Sequence, residues 1–148
     1  MTTDLDRILA RAAAEPSDLD ARMTAAFACD REGREREAVV HYDAAYSLGV
    51  PADRRRRFLV GYGSTLRNVG RLEESVAILG EAVAGDPDYA PFKVFLGLAL
   101  HSSGYHAAAV ATLLGALLDL ESGGSLDGFE RAVGEYQKEL LDRAVTSR

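Results

Sequence analysis

Three histidines, one cysteine and a run of four arginines are the side chains of this 148-residue chain whose types suggest chemistry. His101 and His106 are five apart, which puts them about 140° apart around a helix. Gly104 between them is expected to break that helix, so a metal pair is not expected. His41 lies in another part of the chain. Cys29 is alone and cannot form an internal disulfide. Its window, Ala25–Asp30, is apolar with helical spacing, which predicts a buried small hydrophobe. No nucleophile elbow, H-E-x-x-H pair, phosphate loop or C-x-x-C is present. Acidic pairs such as Glu73/Glu74 and Asp119/Glu121 fall on solvated helix faces or ends. No catalytic residue, metal ligand or cofactor is therefore assigned, and an enzyme is not expected. The chemistry left is recognition by arginine, amide and aromatic groups.

Formal net charge is -6, which disfavours non-specific binding to nucleic acid or to an anionic membrane. Arg54–Arg57 superficially resembles a nucleic-acid tag, but in an acidic chain it reads as a solvated loop and helix start. The longest apolar run, Ala107–Leu118, is too short to span a bilayer. The opening Met1–Arg7 carries two aspartates and has no apolar core of a secretory signal. These features predict a cytoplasmic protein. Fifteen of the seventeen basic residues are arginine and Asn68 is the single asparagine, a bias that fits a bacterial genome rich in G and C. Composition is 47% hydrophobic and 27% charged, as in ordinary folded domains.

The elements that must position these groups are helical throughout. Thr2/Thr3 can cap a helix to about Ala14 with Leu5, Ile8, Leu9 and Ala12 along one face. Pro16 ends it. A second helix is predicted from about Leu19 to Asp30, with Arg22 and Cys29 on its stripe, and a third from about Glu35 to Leu48 carrying Ala38, Tyr42 and Ala45. Gly49-Val50-Pro51 breaks the chain. Two amphipathic runs follow between Arg56 and Pro87, separated at Asn68–Leu72, and a further pair surrounds Gly104. After the Ser/Gly-rich break Glu121–Ser125, a last helix is predicted from about Leu126 to Val145, with Leu126, Phe129, Val133, Tyr136 and Leu140 on one stripe. No segment alternates over strand length, so no sheet is expected.

Three turn glycines repeat. Gly70 to Gly104 is 34 residues and Gly33 to Gly70 is 37, the extra three falling around Gly49–Arg55. With that offset Val39, Val76 and Val110 align, as do Tyr42, Leu79 and Leu113, and Ala45, Ala82 and Ala116. Gly63 and Gly97 allow close approach of paired helices. The second pair reads Leu59-x2-Tyr62-Gly63-x2-Leu66, Ser75-x3-Leu79 and Pro87. The third reads Lys93-x2-Leu96-Gly97-x2-Leu100 and Ala109-x3-Leu113, with Glu121 in place of the usual proline. The first is weaker, with Ala25, Ala26, Cys29 and Ala38-x3-Tyr42. In period and pattern the chain resembles tetratricopeptide repeat (TPR) proteins over about Leu19–Gly123. The segment Arg54–Arg71 is also similar to a small bacterial TPR subgroup of about this length that carries no defined activity.

The resemblance implies an all-α fold, a right-handed TPR superhelix (α-solenoid) of about three helix-turn-helix repeats. Residues 1–18 would form an N-terminal capping helix, about 19–52, 56–89 and 90–123 the repeats, and 124–148 a C-terminal capping helix. It further implies that the first helix of each pair lines a concave groove. With Leu59, Tyr62, Gly63 and Leu66 on the packing face, Arg57, Val60, Gly61, Ser64, Arg67 and Asn68 then face the groove. The equivalents are Met23, Thr24, Phe27, Asp30 and Arg31 in the first pair, and Val94, Phe95, Leu98, His101 and Ser102 in the third. Phe27, Phe95 and Leu98 offer apolar anchoring, while Arg31, Arg57, Arg67, Asn68 and His101 offer donors. That mixture suits a peptide segment bearing an acidic group, because arginine binds carboxylates bidentately and aromatics supply burial. Family members that clamp a C-terminal carboxylate use a Lys/Asn ladder; Asn68 alone does not make one. The expected function is a non-enzymatic scaffold or adaptor for an unidentified protein partner. The alternatives are a homodimer through Leu126, Phe129, Val133 and Tyr136, and a sensor of a small anion using Arg57, Ser64, Arg67 and Asn68.

Overall fold

The computed structural model describes residues 1–146. Among them there are eight helices and no strand: α1 Asp4–Ala14, α2 Leu19–Arg31, α3 Glu35–Leu48, α4 Ala52–Asn68, α5 Leu72–Gly85, α6 Ala90–Ser102, α7 His106–Leu120 and α8 Glu130–Thr146. Two compact units divide the chain, Met1–Arg71 and a second that starts at Leu72.

Local chemistry sets most of the helix ends. Thr3 and Asp6 cap α1 reciprocally, the Thr3 hydroxyl accepting from the Asp6 amide at 3.1 Å and the Asp6 carboxylate from the Thr3 amide at 2.8 Å. Asp18 caps α2 by accepting from the Ala21 amide at 2.8 Å. The three turn glycines close α2, α4 and α6 in the same way. Gly33, Gly70 and Gly104 donate to the carbonyls of Asp30, Arg67 and His101, and the next residues, Arg34, Arg71 and Tyr105, donate to Cys29, Leu66 and Leu100. This paired pattern is the Schellman motif. Each glycine has φ between +69° and +86°, a left-handed backbone that any Cβ would strain. The repeat read from glycine spacing is thus a repeat of one turn geometry.

In the first unit α1 packs on α2 through Ala12, Ala21 and Ala25, with Ile8 and Leu9 against them. The α2–α3 hairpin packs in turn on α4. Its centre is Tyr42, fully buried, whose ring meets Phe27 at 5.9 Å and Phe58 at 5.4 Å edge-on and stacks on Tyr62 at 5.7 Å. In the second unit α5 packs on α6, α6 on α7 and α7 on α8. Gly97 of α6 permits a close approach there, since a Cβ would lie 2.8 Å from Cγ of Leu113 on α7.

Two boundaries differ from expectation. The arginine run lies wholly inside α4, which starts directly after Pro51, a residue whose φ of -59° already suits a helix entry. The last helix starts at Glu130 rather than Leu126, because Gly124, Asp127 and Gly128 adopt φ of 96°, 51° and 84°, incompatible with a right-handed helix. Leu126 and Phe129 therefore precede α8.

Candidate functional site

The residues that the sequence nominates fall on both units. On the first unit, α2 contributes Phe27 and Arg31 and α4 contributes Arg57, Ser64, Arg67 and Asn68. Arg31, Arg57 and Asn68 are exposed, and Phe27, Ser64 and Arg67 half-buried. The guanidinium of Arg57 sits over the Phe27 ring, 5.3 Å from its centroid, so a cation–π contact joins the two helices at one end of this face. Asn68 donates to Glu35 at 2.8 Å, which ties the end of α4 to the start of α3. Arg67 is different: its Nε is buried and has no hydrogen-bond partner among the described residues. A buried donor without an acceptor is costly, of order 1–3 kcal/mol, and unusual in folded proteins.

Three residues placed on this face by helical phase are instead engaged in packing, Met23 buried and Asp30 and Gly61 half-buried. Met23 is 2% exposed. Asp30 accepts from the Tyr42 hydroxyl at 2.8 Å and from Thr65 at 3.2 and 3.3 Å. Gly61 lies under the Tyr42 hydroxyl, which a Cβ would meet at 2.4 Å. For Asp30 and Gly61 the reason is Tyr42, a long side chain from α3 that reaches to α2 and α4 and takes up one edge of the phase-assigned surface. A second carboxylate, Asp43, accepts from Tyr62 and from both Arg71 nitrogens at 2.8 and 3.2 Å. The sequence reading passed over Asp43, which lies on α3 beside Tyr42; the signal available was its position one residue after an aligned packing site.

Burial, helped by the neighbouring Asp30 carboxylate, pushes the Tyr42 phenol far above its ordinary range. It therefore stays protonated and donates to Asp30. Burial also pulls His41 below its ordinary value, and the Arg22 guanidinium adds to this. That guanidinium stands 3.1 Å from Nδ1 of His41 and donates to the Pro16 carbonyl at 2.9 Å, so Nδ1 is an acceptor. Cys29 is buried and free, its thiol pushed up by burial, which makes it an unreactive packing group.

On the second unit, α6 carries Phe95, half-buried, and Leu98 and His101, both exposed. Here the structure joins a pair that helical phase had separated. Nδ1 of His101 lies 3.0 Å from Nδ1 of His106, with ring centroids 4.8 Å apart. The reversal at Gly104 folds the chain back so that residues five apart meet. Among the described residues no group of three or more histidine, cysteine, aspartate or glutamate side chains could hold a metal ion, and no helix is long and apolar enough to cross a membrane.

A family model described as Tetratrico peptide repeat matches residues 20–140. No curated protein and no solved structure is matched. The match covers α2 to α7 and part of α8 and contains all three Schellman turns. On its repeated hairpins, its glycine turns and this match, the chain belongs to the tetratricopeptide repeat family.

Proposed function

We propose that the protein is a non-enzymatic scaffold that holds an acidic peptide segment of a protein partner on the face of α2 and α4. Tetratricopeptide repeats generally mediate protein–protein interaction. The observation that carries the specific reading is Arg67. Its Nε is buried without an acceptor and the side chain is only half-buried, which leaves the outer guanidinium nitrogens to take a ligand carboxylate through two parallel bonds. Arg57 lies ten residues earlier on α4, about 15 Å along the helix axis. An extended segment of roughly four to five residues spans that distance. Phe95, Leu98 and His101 are proposed as further contacts on the second unit.

The test is fluorescence anisotropy with labelled octapeptides carrying two aspartates at graded spacing, set against lysine counterparts. Binding that favours the acidic peptides at a four- to five-residue spacing, and that falls at least tenfold in Arg57→Glu and Arg67→Glu, supports the reading. Equal binding of acidic and basic peptides would sink it.

A second reading, homodimer formation, is favoured by one observation. Phe129 and Tyr136 are 65% and 64% exposed, and α8 has no buried residue. Val110, Leu113, Leu117 and Leu120 on α7 are also exposed, and their 3-4-3 spacing is that of a helix-packing seam. Light scattering at high concentration checks it: a dimer that Leu117→Glu converts to monomer supports this reading, and a wild-type monomer removes it.

A further inference from the structure

We propose that His101 and His106 form a two-imidazole chelate for a divalent transition metal of tetragonal preference, copper(II) or nickel(II). The distance selects the class. Imidazole nitrogens bind such metals at about 2.0–2.1 Å. Two nitrogens 3.0 Å apart then subtend about 91–97° at the metal, by the bond lengths just given. Square-planar and tetragonal centres have cis angles near 90°, whereas tetrahedral zinc needs its nitrogens about 3.3 Å apart.

The turn that brings the rings together is fixed on both sides. Gly104 donates to the His101 carbonyl at 3.0 Å and Tyr105 to the Leu100 carbonyl at 2.9 Å, and His106 opens α7 immediately afterwards. The backbone of both ligands is thus set before a metal arrives. Both imidazoles are exposed, so entry is open. Without metal, the short Nδ1 to Nδ1 contact requires one ring to carry its proton on Nδ1 and the other to accept it. Metal binding needs a tautomer shift in the donating ring, its proton moving to Nε2 through solvent. Once the exposed rings turn about their side-chain bonds, both Nδ1 lone pairs converge on one metal, and the tautomer shift releases no net proton. With no third histidine, cysteine, aspartate or glutamate grouped with them among the described residues, water fills the remaining positions. The site is therefore an exchangeable one rather than a structural centre.

Isothermal titration of the chelator-treated full chain with copper(II) chloride and, separately, nickel(II) chloride tests this without any partner, independently of the peptide reading. The expected result is one equivalent bound, with affinity lowered at least tenfold in His101→Ala and in His106→Ala and unchanged in His41→Ala. The copper(II) electron paramagnetic resonance spectrum is expected to show coupling to two nitrogens. Three outcomes would overturn the proposal: no binding by the wild type, equal binding by the double variant, or dependence on one histidine alone. Circular dichroism of the variants, both at exposed positions, confirms that they are folded.

Discussion

Tyr42 concentrates the polar economy of the first unit in one hydroxyl. Its hydrogen bond to Asp30 sits inside a ring cluster, where hydrogen bonds to charged groups contribute about 1.5–3 kcal/mol. Tyr42→Phe keeps the ring and removes the bond, leaving Asp30 with Thr65. The expected loss is about 1–3 kcal/mol, read as a lower denaturation midpoint in urea with unchanged slope. His41 supplies the pH dependence. Its folded pKa lies below the ordinary value of 6.5, so the unfolded chain binds the proton more readily. The contribution of His41 is therefore intact above about pH 6.5 and declines as pH falls from there through the folded pKa. His41→Gln is expected to flatten the stability profile in that interval. An unchanged slope between pH 7 and 5 would contradict the account. None of this was legible in the sequence, because a polar partner on the neighbouring helix, as Asp30 is to Tyr42 and Arg22 to His41, leaves no mark on periodicity.

At the scale of helices, glycine position decides the sign of a substitution. Gly80 in α5 and Gly134 in α8 have open space where a Cβ would stand. Alanine there is expected to stabilise by roughly 0.5–1 kcal/mol through helix propensity. Gly61 and Gly97 face Tyr42 and Leu113 at 2.4 and 2.8 Å, so alanine there is expected to destabilise by about 1–3 kcal/mol through overpacking. Thermal denaturation of the four single variants checks both signs. The aligned positions Ala45, Leu79, Ala82 and Ala116 are buried as read, because a 34-residue spacing of small and large residues is itself a packing statement. Gly97 was likewise legible as a close approach. Gly61 was not: helical phase alone assigns it a face without reporting how far Tyr42 reaches from the neighbouring helix. The late start of α8 was missed for a related reason, since the apolar stripe of Leu126 and Phe129 fits a helix while Gly124 and Gly128 do not.

For the whole molecule, charge is unevenly shared along the chain. Residues 1–71 hold twelve basic and eleven acidic side chains, whereas residues 72–148 hold five and twelve. An acidic segment is thus repelled less by the first unit than by the second, in keeping with α2 and α4 as its docking face. Binding is expected to weaken as salt rises from 50 to 300 mM, since Arg31 and Arg57 on this face are exposed and screened. Candidate face residues can be named from the sequence because the family pattern assigns one face of each first helix to packing and leaves the other. What the pattern could not rank was which of them already has a partner, and there Asn68 with Glu35 differs from Arg67 with its orphaned nitrogen. The most direct measurement is therefore the affinity of Arg67→Ala for the acidic octapeptide that the wild type binds best. A fall of at least tenfold, with circular dichroism and thermal midpoint preserved, is the result expected. Undiminished affinity in that folded variant would contradict the central claim.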